Sequence, residues 1–200
     1  DAEITRGNMA VLICRTMARL GYDVKLSETA QPNLSVNGTS DAAAVQETAE
    51  PFDAAAAKQD IIDRTNALRR ENGVSVLTVN DKLMQAAQVR ANEMAAHTVY
   101  SHTRPNGGKF NTVTDCPYMA ENIHRIADWV LSDQTLAERA VADWYASTVH
   151  HKNMVNPKLS EIGVGLARGV NDTGDPCWYC VQLFLYDGCS VTRVDTPANK

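Results

Sequence analysis

Glu161-Ile-Gly-Val-Gly-Leu-Ala-Arg168, the turn residues Asn171-Asp-Thr-Gly-Asp-Pro176, and Tyr179-Cys-Val-Gln-Leu-Phe-Leu-Tyr186 form the stretch on which the fold turns. In the first segment Ile162, Val164 and Leu166 fall on one side with glycines between them. The last segment is apolar on both faces and reads as a central strand. The residues between them predict a hairpin loop. Upstream, a helix from about 54 stops at Asn72 before Gly73, with Ile61, Thr65 and Leu68 on its inner stripe. Val74-Ser-Val-Leu-Thr-Val79 is β-prone but short. Asn80 or Asp81 can cap a second helix through about His97, with Leu83, Ala87, Ala91 and Met94 on one face. Residues 101–118 read as a loop rich in turn residues. A third helix starts at Thr135, where Glu138 completes a capping-box signature, and Leu136, Ala140 and Trp144 face inward. Helices first and an antiparallel hairpin last define an α+β fold with helices packed over a small sheet.

Further out, residues 3–20 read as an amphipathic helix with Thr5 as N-cap, an apolar stripe of Met9, Leu12, Ile13, Met17 and Leu20, and Gly21 at its end. Residues 28–57 carry Pro32, Gly38, Pro51 and scattered acidic residues, which is linker composition. The expected organisation is therefore a helical segment over 1–27, a linker over 28–57, a main domain over 58–188 and a tail over 189–200. The chain opens at Asp1 without a Met or a basic leader, and reads as a processed product or an excised piece.

Composition narrows the function classes. The 200 residues carry a net charge of −5, with no Lys/Arg cluster, so a nucleic-acid footprint is absent. The longest apolar run, Met9 to Cys14, falls far short of the ~20 residues that span a bilayer. Five cysteines, an odd number, leave at least one thiol unpaired within the chain. Cys177-Trp-Tyr-Cys180 has the spacing of thiol oxidoreductases, but it enters a strand rather than opening a helix. A structural role fits better: Cys180 points inward and Cys177 is available to bridge to Cys189 or Cys116.

The histidines, His97, His102, His124, His150 and His151, show no metal spacing by themselves, and each reads singly as a surface or capping residue. Glu121 is set in a partly apolar segment, where burial would raise its pKa unless a cation or donor satisfies it. No phosphate loop, GxSxG elbow or Ser/His/Asp arrangement is readable, and no obvious nucleophile is present.

The order of segments is more telling. It runs Asn66-Ala-Leu-Arg-Arg-Glu-Asn-Gly73, Ser101-His-Thr-Arg-Pro-Asn-Gly107, Ala120-Glu-Asn-Ile123, Trp144-Tyr-Ala-Ser-Thr-Val-His-His-Lys-Asn-Met154, Glu161-Ile-Gly-Val-Gly165 and Val181-Gln-Leu-Phe184. Over roughly 58–187 this resembles the CAP superfamily of SCP-like extracellular domains, in its bacterial form. The resemblance implies a three-layer α-β-α sandwich with a small, mainly antiparallel sheet and a central cleft. It carries His102, Glu121 and His150 into that cleft as binding residues, with a divalent metal such as zinc as an implied ligand. Where eukaryotic members have a second glutamate this chain has Ser147, and Glu161 is a further candidate acid. Residues 4–12 also resemble the second half of an S-layer homology motif, although Gly7 and Asn8 depart from it.

These resemblances imply a secreted or cell-surface protein of a Gram-positive-type bacterium. The leading expectation is a binding module for a small, lipid-like or cell-wall ligand, attached to wall polymer through further S-layer homology repeats. The alternative is a metal-dependent hydrolase or protease in which Glu121 or Glu161 acts as the acid–base group. An extracellular setting permits disulfides, and Cys14, on the N-terminal stripe, is the expected free thiol.

Overall fold

In the computed structural model, the described residues are 52–131 and 134–198. The expectations for residues 1–27, including Cys14 and the S-layer-like stretch, and for the linker up to residue 51 lie outside them.

Helix α1 spans Ala54–Glu71, and its first free N–H groups are capped by Asp53, whose carboxylate accepts from Ala55 and Ala56. Ala54 to Ala57 thus belong to the helix rather than to a linker ending at 57. At its other end Gly73 takes φ of +68°, the left-handed conformation that ends many helices. The β-prone run that follows contributes only a short strand, β1 (Thr78–Val79). Asn80 caps α2 (Asp81–His97), whose predicted stripe of Leu83, Ala87, Ala91 and Met94 is buried. Strand β2 (Met119–Ala127) follows the loop. Thr135 and Glu138 form the capping box of α3 (Leu136–Ala146), and the chain bends at Ser147 into α4 (Thr148–Met154). The hairpin is β3 (Leu159–Val170) and β4 (Pro176–Tyr186).

The sheet order is β1-β3-β4-β2. β1 runs parallel to β3, and the other pairs are antiparallel. β4, apolar on both faces, is central as its composition requires, and β2 forms an edge. One face packs on α2 through Val181, Leu183 and Leu185, and the other packs on α1, α3 and α4 through Ile162, Phe184 and Trp144. This is a three-layer α-β-α sandwich.

The glycines of β3 set the spacing on the α2 side. A Cβ at Gly163 would lie 2.1 Å from the Leu83 carbonyl carbon, and one at Gly165 would lie 2.1 Å from the Ala87 carbonyl oxygen. Helix backbone therefore rests directly on strand backbone.

The stretch expected as a tail from 189 packs against the domain. Val191 is buried, Val194 bridges Thr114, and the Asp195 N–H donates to the Val113 carbonyl at 2.8 Å. Asp115 accepts from the Thr192 and Arg193 N–H groups and from the Thr192 hydroxyl, and these bonds hold its carboxyl down at about 2.

The four described cysteines are free thiols. Cys177 bridges neither Cys189 nor Cys116. It opens β4 opposite Ala127, whereas Cys116 and Cys189 lie beyond the Met119–Leu185 end. At about 3.3 Å per residue, the strand separates the two ends by roughly 26 Å. Cys177 and Cys180 also lie in the cores on opposite faces of β4, so the CxxC pair is split by the sheet. Burial raises both thiol pKa values, the reverse of what a reactive thiolate needs.

Candidate functional site

The site forms along the edge strand β2, where successive side chains point to opposite faces. Glu121 points toward α2, and both of its oxygens are engaged there. Arg90 Nε donates to Oε1 at 2.9 Å, and His102 Nδ1 meets Oε2 at 2.7 Å. The Arg90 and Glu121 side chains are wholly buried, whereas the His102 side chain is 53% exposed. A half-open imidazole is thus oriented by a buried carboxylate. With Nδ1–H donated to Glu121, Nε2 is left facing outward as an acceptor.

Arg90 also donates to Glu93 at 2.8 Å and to the Ser101 carbonyl at 2.8 Å, which anchors the loop carrying His102. Arg104, buried in that loop, donates to Glu93 at 2.6 Å and to Asp195 at 3.0 Å. The Ala198 N–H donates to Glu93 as well. Burial alone would push the Glu93 carboxyl up, but hydrogen bonds from Arg104, Ala198 and Arg90 outweigh it and hold the pKa below the ordinary value. The relay Asp195–Arg104–Glu93–Arg90–Glu121–His102 therefore runs from the C-terminal stretch to the half-exposed His102 ring.

Asn122 points to the opposite face and ties in the second histidine. Its amide donates to the His150 carbonyl at 3.1 Å and to Gln182 at 3.1 Å, and its oxygen accepts from Asn153 at 2.9 Å. Gln182 in turn donates to Thr65 of α1 at 2.8 Å. Trp144 fixes α3 to the strand edge by donating to the Ile123 carbonyl at 3.0 Å. Ser147 shapes the bend between α3 and α4 through its backbone: its N–H donates to the Asp143 carbonyl, and its carbonyl accepts from the His151 N–H.

His150 lies near enough to His102 and His124 for their charges to act on it, and burial followed by those charges holds its pKa below 6.5. Unfolded His150 titrates near 6.5, so just below that pH the native state binds fewer protons than the unfolded one. Stability from this group is complete above 6.5 and falls as pH drops toward the folded pKa. Ring-proton NMR is expected to give a His150 midpoint below 6.5; a midpoint at or above it would contradict this placement.

His124, not selected from the sequence, stands on the same strand face as Asn122. Its Nε2 meets Asp143 at 2.6 Å, and Asp143 also accepts from Arg139 at 2.6 Å. The adjacent His151 turns elsewhere, with its ring 4.6 Å from that of Tyr145. Glu161 lies away from these residues. It accepts from Asn80 at the start of α2, and β4 separates its strand from β2. Recognising 119–127 as a strand would have pointed to His124. Arg90 was legible as a charge three residues after Ala87 and four before Met94, on the apolar side of α2.

Both oxygens of Glu121 are committed to Arg90 and His102. Among the described residues, no three His, Cys, Asp or Glu side chains are grouped to hold a metal ion. A cavity of about 670 Å³ among the described residues lies elsewhere, lined by Phe52, Leu131, Leu136, Trp178, Asp60 and Arg168 among others. No described helix is long and apolar enough to cross a membrane.

A three-layer sandwich with a four-stranded, mainly antiparallel sheet defines the class. The chain belongs to the cysteine-rich secretory protein family (CAP), whose model matches residues 62–184. It is 26% identical over 159 residues to the uncharacterized protein YkwD of Bacillus subtilis, an alignment covering 72% of this chain and 60% of that protein. Among solved structures it resembles an outer surface protein of Borrelia burgdorferi, with TM-score 0.51, 17% identity, and coverage of 68% of this chain and 96% of that one. An extracellular SCP-domain protein of Bacillus anthracis matches with TM-score 0.49 and 21% identity, over 70% of this chain and 45% of that one. The chain thus spans less than two thirds of the Bacillus proteins it matches.

Proposed function

We propose that this chain is the CAP domain of an extracellular bacterial protein, and that it binds a small, lipid-like or cell-wall ligand at the cleft formed by His102, Glu121 and His150. The observation that carries this reading is the half-exposed His102 ring held 2.7 Å from the wholly buried Glu121 carboxylate. Such a ring presents a fixed acceptor to a polar ligand group at little entropic cost. Glu121 is spent on Arg90 and His102, so it is not free to act as a general base. That favours binding over hydrolysis. Extracellular placement draws on the family, which is one of secretory proteins.

The test is a binding screen of the full chain against purified cell-wall fragments and lipid vesicles. His102→Ala is expected to weaken the retained ligand roughly tenfold or more, the loss of one well-placed hydrogen bond. His150→Ala is expected to weaken it less. Saturable binding untouched by both substitutions, or no binding in either panel, would sink the proposal. A zinc titration run beside it reads the metal. One-to-one zinc binding lost in His102→Ala would mean that Glu121 leaves Arg90 to become a ligand.

A further inference from the structure

We propose that Cys116 and Cys189 are an oxidative modification site, where a disulfide staples the C-terminal stretch to the loop preceding β2. Backbone pairing places them together. On one side of the pair, Thr114 bridges Val194 and the Asp115 N–H donates to the Arg193 carbonyl at 3.3 Å. On the other, the Tyr186 N–H donates to the Tyr118 carbonyl at 3.3 Å. Cys116 lies between Asp115 and Tyr118, and Cys189 lies between Tyr186 and Arg193, so the two face each other across the gap between these ties. Both side chains belong to the apolar cluster on the α2 side of the sheet, Cys116 within it and Cys189 packed against it.

Burial, and then the neighbouring Cys116, hold the Cys189 thiol above its ordinary pKa, so only a minor thiolate fraction attacks and the oxidation quickens as pH rises. Cys189 is partly exposed and Cys116 is buried, so an oxidant meets Cys189 first. With glutathione disulfide as oxidant, the Cys189 thiolate attacks one oxidant sulfur, forming a mixed disulfide and releasing one glutathione thiolate. Cys116, having lost its proton to solvent, attacks the Cys189 sulfur and displaces the second. Two protein S–H bonds and the oxidant S–S bond are replaced by one protein S–S bond and two glutathione S–H bonds. The protein loses two electrons and two protons, and the oxidant gains both.

The staple secures more than the chain end. The stretch it holds carries Asp195 and Ala198, which pair with Arg104 and Glu93 beneath the His102 loop. Oxidation should therefore raise stability by closing a long chain loop.

The test treats the full chain with glutathione disulfide and maps it by non-reducing peptide mass spectrometry. A cross-linked peptide joining Cys116 to Cys189 is expected, together with a rise in Tm of roughly 10 °C that reducing agent reverses. Cys189→Ser, a change at a partly exposed position, is expected to remove both the cross-link and the rise. Cys177→Ser is expected to leave the cross-link intact. Both thiols remaining free for alkylation after oxidation would overturn the proposal. So would Cys189 bridged instead to Cys14, Cys177 or a second chain.

Discussion

Arg90→Met is expected to cost about 3–5 kcal/mol of folding stability, because it removes one partner of a buried ion cluster and leaves the other charged. Methionine fills much of the same volume, so the loss is electrostatic rather than a cavity effect. Glu121 would keep only the half-exposed His102, and Glu93 only Arg104 and the Ala198 N–H. Loss of the Arg90 hydrogen bond would let burial lift the Glu93 carboxyl from its lowered pKa, and the variant would recover part of its stability as pH falls. A single domain is stable by about 5–15 kcal/mol, so the change should be plain in a urea midpoint. Combining it with Glu121→Gln should restore part of the loss, since the orphaned charge is gone. A loss below about 1 kcal/mol in the single variant would show that Arg90 is not the hub of the relay.

Gly165→Ala is expected to cost about 3 kcal/mol, the upper part of the usual range for overpacking. The new methyl would fall 2.1 Å from the Ala87 carbonyl oxygen, and its nearest neighbours are helix backbone rather than a side chain that can swing aside. α2 would have to lift from the sheet, and it carries Arg90 and Glu93. The measurement is a thermal melt, with Tm expected to fall by roughly 10 °C. Gly174→Ala, in the hairpin loop at φ of +87° with open space around its Cβ position, should cost less. Equal effects at the two glycines would mean that backbone strain, not helix–sheet contact, governs β3.

Much of this architecture is written locally. The stripe on α2 is buried where its period places it, Asn80 caps that helix, and Thr135 with Glu138 forms the capping box. Periodicity and capping depend only on neighbours within a turn or two, so sequence suffices to read them. The alternation of β3 and the two-faced apolarity of β4 likewise report burial by the layers around them.

The strand at 119–127 was not legible in the same way. Met119-Ala-Glu-Asn-Ile-His-Arg-Ile-Ala127 mixes charge and apolar residues without clean alternation. Its polar side chains are satisfied by distant groups: Glu121 by Arg90, Asn122 by Gln182, and His124 by Asp143. Local pattern cannot announce partners that are 19 to 60 residues away in the chain.

The same division holds for the site. Sequence alone set the order of segments, the helix caps and the central strand, and the family resemblance of its segments singled out His102, Glu121 and His150. Only the tertiary structure decided that Glu121 is bound to Arg90 from behind, that Glu161 belongs to the cap of α2, and that Cys177 lies at the far end of β4 from Cys116 and Cys189. Ion pairs and thiol contacts form between groups brought close by folding, and their chain separation carries no trace of that distance.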